Sequence, residues 1–286
     1  MICDICPRNC KVERSKYSGF CLEKGLRISK VMLHHYEEPL ISGGELDKGS
    51  GAIFFTGCNL KCVFCQNEPI SHLGKGKKIS VKKLIRIIKK LEKRGALNIN
   101  LVTPTHFTMQ IIETLKKYKP KVPVVWNSSG YEKPEIINML KNYVDIYLVD
   151  LKYMDNNLAF RYSKAKDYVE NSTQSIVQMR KNQPVDIIEN GLMKKGIIVR
   201  HLVLPNNTSD SIKCLDFIAN NIGKNTIVSI MSQYEPRYNA LDYEEINRKI
   251  TPLEYKRVVN HALKLNMLNC FTQDLSSANS DYTPKF

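Results

Sequence analysis

The chain has 286 residues, 43% hydrophobic and 25% charged, which excludes disorder as its main state and gives length for one large domain or two small ones. Its longest apolar runs fall far short of the roughly 20 residues that cross a bilayer. The first residues lack the basic and apolar regions of a secretory signal, so a cytoplasmic chain with no membrane partner is expected. The formal charge of +15 alone is weak evidence for nucleic acid, because much of the excess lies on one segment, 77–91. There Val81, Leu84, Ile85, Ile88 and Leu91 recur at helical spacing and the lysines take the opposite, solvated face, so nucleic acid is not the expected partner.

In chain order, residues 1–50 carry cysteines and are broken by Gly19, Gly25, Gly43, Gly44 and Gly49, the composition of a small loop-rich metal-binding lobe. Residues 51–286 alternate short apolar runs with amphipathic helical segments, the pattern of repeated βα units. Strands are expected over 52–56, 98–102, 122–127, 145–150, 196–203 and 226–231. Helices are expected over 81–94, 108–118, 134–142, 168–181, 209–221 and 252–265. Ser80 before Val81 and Thr251 before Pro252 supply N-cap chemistry, the second with proline at the first helical position. Six such units fit either an incomplete parallel barrel or an open doubly wound sheet, and both gather ligands at the carboxyl ends of their strands.

Seven of the nine cysteines fall within the first 65 residues. In a reducing compartment such grouping points to metal or redox chemistry rather than disulfides. Cys58, Cys62 and Cys65 follow the first expected strand directly, and three thiolates at this spacing can wrap one corner of a [4Fe–4S] cubane, leaving one iron without a protein ligand. A zinc site or buried thiols is the alternative. Cys3, Cys6, Cys10 and Cys21 supply four thiolates, enough to close a site around zinc or iron or to hold a second iron–sulfur cluster. Such a site is structural or electron-transferring, because no position is left for substrate. Cys214 and Cys270 lie in apolar contexts and read as small core residues.

The three-cysteine loop, with Phe64 just before its last cysteine, resembles the radical S-adenosylmethionine superfamily. The chain looks like the branch related to pyruvate formate-lyase activating enzyme, in the subgroup with an N-terminal cysteine cluster, whose motif Cys6-Pro7-Arg8-Asn9-Cys10 and Gly19-Phe20-Cys21 resemble. The resemblance implies a partial (β/α)6 TIM-like barrel. It implies that the open iron chelates S-adenosylmethionine, which one electron cleaves to methionine and a 5′-deoxyadenosyl radical that abstracts hydrogen from a substrate. Implied partners are an electron donor such as flavodoxin or ferredoxin and, as protein substrate, a glycyl radical enzyme. Modification of RNA or a small metabolite is the competing enzymatic reading. A non-catalytic iron–sulfur electron carrier or binding module is the competing class.

Site residues follow from the resemblance one at a time. Phe64 stands where the family packs an aromatic near the adenine, though core packing is equally open. Asp150 and Lys152 end the fourth strand and resemble the pair that faces the nucleoside, the alternative being an ordinary ion pair. Arg200, on the fifth strand, suits a carboxylate through its forked geometry, and His201 stands beside it. Asn127 and Ser128 are either polar contacts to the cofactor or turn residues. Where the family places Gly-Gly-Glu-Pro to hold the methionine amino group, this chain has Thr103, Pro104, Thr105 and His106. Thr103 and Thr105 offer oxygens, but the carboxylate is gone. His106 is either substrate-facing or a loop histidine, and with His201 it is a catalytic candidate. The 231–236 segment ending the sixth strand is a candidate for substrate contact.

Overall fold

The computed structural model describes residues 2–44, 48–278 and 284. Following the N-terminal cysteine segment come β1 (Arg27–His34), the short helix α1 (Pro39–Ser42) and β2 (Ser50–Phe55). Next are α2 (Glu68–Ser71), β3 (Lys77–Lys78), α3 (Val81–Lys93), β4 (Ile99–Val102) and α4 (Thr108–Lys117). The middle of the chain forms β5 (Val124–Ser128), α5 (Pro134–Met139), β6 (Ile146–Asp150), α6 (Asn156–Ser163) and α7 (Tyr168–Asn182). The last elements are β7 (Ile187–Glu189), β8 (Leu192–Leu202), α8 (Thr208–Phe217), β9 (Ile227–Met231), α9 (Pro252–Lys264) and β10 (Cys270–Thr272).

Strands β2, β4, β5, β6, β8 and β9 pair in that order, all parallel, as six βα units require. Strand β10 extends one edge in parallel, and β1 and then β3 extend the other edge antiparallel. The sheet does not close. The result is a partial TIM-like barrel with mixed α/β composition. Residues 1–50 are expected to be loop-rich, yet β1 runs beside β2 through the register Lys30↔Phe54 to His34↔Ser50, so part of that stretch belongs to the barrel sheet. Its seven intermediate-burial positions explain why no clear alternation marks it as a strand.

Strand alternation divides the core in two. Ile53, Phe55, Leu101, Trp126, Tyr147, Val149, Ile197 and Val228 point outward, under helices α3 to α9. Val125, Ile146, Leu148, Ile198 and Ile227 point inward and meet Ile41 of α1, which plugs the barrel at the amino ends of its strands. The helices start where the sequence supplies caps: Ser80 accepts from Lys83 N at 3.1 Å, and Thr251 and Glu254 form a reciprocal capping box. Helix α8 runs into a π-helical turn over Ile218–Ile222, so the single helix expected over 209–221 changes its hydrogen-bond pattern midway. No helix among the described residues is long and apolar enough to cross a membrane.

Candidate active site at the carboxyl ends of the strands

The polypeptide leaves β2 through Thr56 and Gly57, whose φ of +73° suits glycine. A Cβ at Gly57 would lie 2.2 Å from the Cys21 carbonyl oxygen and 2.7 Å from Glu23 Cγ, so the cysteine loop is seated directly on the N-terminal lobe. On the other side, Lys61 and Val63 donate backbone N–H groups to the carbonyls of Ser163 and Tyr162, fastening the loop to the end of α6. Asn59 donates through Nδ2 to the Tyr131 carbonyl at 2.6 Å, and Arg8 Nε donates to the Asn59 carbonyl at 2.7 Å.

Cys58, Cys62 and Cys65 all line one cavity of about 440 Å³, and Cys62 raises the proton affinity of both Cys58 and Cys65. Burial, reinforced by the neighbouring thiols, pushes Cys58 up to about 12 and Cys65 up to about 11. Burial also raises Cys62, opposed by Lys152 and by the Ser163 hydroxyl, which donates to Cys62 Sγ at 3.0 Å. Cys65 Sγ and the Ser71 hydroxyl are 3.1 Å apart, and Leu60 N donates to Cys58 Sγ at 3.3 Å. Among the described residues, no three His, Cys, Asp or Glu side chains converge as ligands of a single metal ion do. A cubane asks for something different: three neighbouring thiolates, each on its own iron, with donors aimed at the sulfurs. The loop meets that requirement. Its thiols must give up protons on ligation, so metal binding there releases protons.

The opposite wall is a layer of polar side chains on inward-facing strand positions. The register aligns Asp150 with Arg200, and both lie beside Asn127. Arg200 donates through Nε to Asp150 Oδ1 at 2.8 Å and through Nη2 to Asn127 Oδ1 at 2.7 Å. Lys152 Nζ donates to Asp150 Oδ2 at 2.6 Å. Burial alone would raise Asp150, but Arg200 and Lys152 outweigh it and hold the carboxyl below the usual range. Lys152 is pushed the other way: burial lowers it, and Asp150 and Cys62 more than compensate.

Thr103, Ser128 and Phe64 also line the cavity. Phe64 is 8% exposed and packs edge-on against Tyr234, ring centres 5.7 Å apart, so its face toward the cavity and its core packing coexist. Thr103 has φ of +58°, a strained conformation for a β-branched residue, located at the end of β4. The 231–236 segment contributes Met231, Gln233, Tyr234 and Glu235 to the rim.

Three sequence candidates lie elsewhere. The Thr105 hydroxyl donates to the buried Glu132 Oε1 at 2.8 Å, and Thr105 does not line the cavity. His106 is buried with Nε2 2.6 Å from the Thr56 carbonyl, and burial drives it down to about 3. His201 is buried with Nδ1 2.7 Å from the Leu151 carbonyl, and burial drives it down to about 4. His201 alternates with the inward-facing Arg200, and both imidazoles hydrogen-bond backbone carbonyls beside the site. Their strand or loop positions are compatible with either face until register is known, which is why sequence alone left them as candidates.

Four residues escaped the sequence reading. Glu37 enters the cavity from below and accepts from Asn100 Nδ2 at 3.0 Å, Asn127 Nδ2 at 3.1 Å and Arg200 Nη1 at 3.2 Å. Glu38 lines the same floor. Glu132 is fully buried and accepts from Thr105, Trp126 Nε1 and Ser128, tying the segment after β4 to β5. Arg8 braces the loop as described. The available signal was Glu37-Glu38-Pro39 before an apolar pair, and a short acidic run normally reads as solvated surface.

The N-terminal thiols form a second, separate group. Burial, with the charges of Cys21, Cys10 and Cys3, pushes Cys6 up to about 12, and Cys21 is raised by burial with Cys3 and Cys10 adding to it. Phe20 N donates to Cys10 Sγ at 3.3 Å, and Cys3 exchanges backbone hydrogen bonds with Lys11 and Val12. None of the four lines the cavity.

Comparison with known proteins adds three findings. The profile of the radical SAM superfamily matches residues 52–218. The uncharacterized protein MJ0674 of Methanocaldococcus jannaschii is 37% identical over 279 residues, 93% of this chain and 75% of that protein. Among solved structures, SuiB of Streptococcus suis bound to S-adenosylmethionine superposes with TM-score 0.52 at 15% identity, over 76% of this chain and 48% of that one. The FeFe-hydrogenase maturase HydG of Carboxydothermus hydrogenoformans gives TM-score 0.51 at 12% identity, over 75% and 50%. The chain thus spans about half the length of these solved structures, and at such identity the likeness is one of fold.

Proposed function

The chain belongs to the radical S-adenosylmethionine superfamily, and we propose that it is an enzyme that cleaves S-adenosylmethionine reductively at a [4Fe–4S] cluster held by Cys58, Cys62 and Cys65. A cluster bound there and reduced by an external one-electron donor would supply reductive cleavage chemistry, with methionine and a 5′-deoxyadenosyl group as its products. The observation that carries the reading is that the three loop thiols and the Lys152–Asp150–Arg200 layer line one cavity, with Lys152 acting directly on Cys62.

The chain's own residues hold and orient. Ser163 and Ser71 hydrogen-bond to the sulfurs of Cys62 and Cys65 and fix their directions. Lys152 presents a cation on the cluster side of the layer, suited to the cofactor carboxylate, and Asp150 keeps it protonated and aimed. Phe64 and Tyr234 give an apolar wall on which a purine can stack, and with Leu60 and Met231 they limit the approach of water to the reacting carbon. Ser128 and Thr103 place a hydroxyl and a strained peptide at the strand ends, within the same rim.

The sequence resemblance also suggests an activating enzyme for a glycyl-radical partner. A small substrate is the reading that the cavity favours, because its floor carries the buried carboxylates Glu37 and Glu38 rather than a neutral slot for a main-chain glycine. Anaerobic reconstitution with iron and sulfide, chemical reduction and assay for 5′-deoxyadenosine test the central proposal. Wild type is expected to form 5′-deoxyadenosine and methionine in equal amounts; a loaded, reduced protein that forms neither would refute it.

A further inference from the structure

Resting on that reading, we propose that Glu38 forms a subsite for the alkylammonium group of the substrate at the barrel floor. Glu38 is 8% exposed and lines the cavity, and its Oε2 has no hydrogen-bond donor among the described residues. The nearest cation, Arg200 Nη1, is 3.9 Å away and is already 3.2 Å from Glu37. The remaining nitrogens of that guanidinium are spent on Asp150 and Asn127. Lys152 is held at Asp150 Oδ2, and no contact of it with Glu38 is present among the described residues. In the same layer the buried Asn100 Oδ1 is a second acceptor without a donor. Buried acceptors left in this condition cost free energy until a donor arrives.

Charge points the same way. Glu37, Glu38 and Asp150 bring three carboxylates against the two cations Arg200 and Lys152. Burial raises the carboxyls of Glu37 and Glu38, and a further cation beside them would favour their charged forms. This acidic floor sits inside a chain of formal charge +15, whose outer surface would repel the same ligand, so the excess is local to the cavity. An ammonium offers three N–H donors and no acceptor, the complement of a floor that has acceptors to spare.

The subsite lies on the far side of the layer from the cysteine loop. Asp150 binds Lys152 through Oδ2 at 2.6 Å and Arg200 through Oδ1 at 2.8 Å, Arg200 Nη1 is 3.9 Å from Glu38, and Lys152 is the foremost charge acting on Cys62. Asp150 therefore stands between the thiols and the floor. A cofactor seated on the loop meets Lys152 first, leaving Glu38 to a second molecule below it. The predicted substrate is an aliphatic chain that carries an ammonium at its inner end and presents a C–H bond toward the loop.

The test uses the loaded holoprotein with S-adenosylmethionine, and cadaverine as probe, with 1,5-pentanediol and glutarate as neutral and anionic counterparts of the same length. Cadaverine is expected to raise the thermal midpoint of wild type in a saturable way, and the other two are not. Glu38→Gln is expected to lose the response at least tenfold and to melt no lower than wild type without probe, because burial already disfavours the charged carboxylate and the amide keeps its shape. Equal cadaverine responses in wild type and Glu38→Gln, or a glutarate response equal to that of cadaverine, would overturn the subsite. Should Glu38→Gln fail to fold, Glu38→Asp, which keeps the charge and shortens its reach, is expected to weaken cadaverine binding, and wild-type affinity in that variant would overturn it. Absence of 5′-deoxyadenosine in wild type refutes the radical reading separately, since cadaverine binding is read without turnover.

Discussion

Two groups of cysteines lie side by side in this molecule and differ in what they face. The loop thiols of Cys58, Cys62 and Cys65 border the cavity, whereas Cys3, Cys6, Cys10 and Cys21 lie in the neighbouring lobe and none lines it. Residue type and local spacing are alike; the strand end makes the difference. A loop leaving β2 at the barrel mouth has ligand space above it by construction, while a lobe seated against the outside of that loop has none. The lobe instead supports its neighbour: Arg8 grips Asn59, Glu23 accepts from Thr56 at 2.5 Å, and Arg14 donates to the His106 carbonyl. Lys61 feels the charges of Cys58 and Cys21 together, so the two groups are adjacent.

The hardest test of this contrast exchanges one sulfur on each side. Cys62→Ser is expected to abolish both the iron–sulfur absorbance of the loop and 5′-deoxyadenosine formation, a loss of at least a thousandfold in rate. Cys6→Ser should leave a loop-bound chromophore and measurable turnover while lowering the thermal midpoint. If Cys6→Ser removed the chromophore and Cys62→Ser spared it, the roles assigned to the two groups would be reversed. A finer separation lies within the cavity itself. Lys152→Ala and Asp150→Ala are expected to weaken S-adenosylmethionine binding by about ten- to a hundredfold, the scale of a lost charge-assisted contact. Iron content should not change. Calorimetry with the loaded proteins checks the first point and iron assay the second; wild-type affinity in both variants would detach the layer from the cofactor.

The contrast also shows what sequence can carry. The loop was legible because its three cysteines are local and follow an apolar run, and the six barrel strands were legible because burial on both faces makes them continuous hydrophobic runs. Helix α3 announced itself by its cap at Ser80 and its apolar stripe. Strand β1 did not, since its half-buried positions mix Arg27, Lys30 and Val31 without a clean period. Glu37 and Glu38 were invisible for a different reason: their burial depends on Arg200, about 160 residues away, and on α1 plugging the barrel. The short helix α6, which holds the loop through Ser163, had its Asp155 cap in plain sight but only eight residues to show periodicity.

Removing the brace is a smaller perturbation than removing a sulfur. Arg8 spans the interface between the two groups, stacked 3.8 Å from the Phe20 ring centre while donating to Asn59. Arg8→Ala is expected to cost about 1–3 kcal/mol of stability, the range for a partly buried charged hydrogen bond, and to speed loss of iron from the loop. Equal iron retention in Arg8→Ala and wild type, followed over time in the presence of a chelator, would show that the lobe does not support the loop.

The smallest expected effect concerns His106, which sits where the two groups meet, its carbonyl held by Arg14 and its Nε2 against the Thr56 carbonyl. Burial lowers its folded pKa from 6.5 to about 3. Below pH 6.5 the unfolded imidazole takes up a proton that the folded one refuses, so the contribution of this residue is present above pH 6.5 and is lost as pH falls toward 3. At pH 5.5 the loss from this one side chain is about 1.4 kcal/mol, from a tenfold excess of the protonated unfolded form. His34, His72 and His201 are shifted in the same direction and for the same first cause, so a variant lacking only His106 keeps their part of the slope. Denaturant unfolding of His106→Gln between pH 7.5 and 5.5 should therefore give a pH dependence shallower than wild type by about 1 kcal/mol. An unchanged slope would mean that water or a proton reaches His106 in the folded protein, and with it the backbone under the cysteine loop that the lobe is assigned to protect.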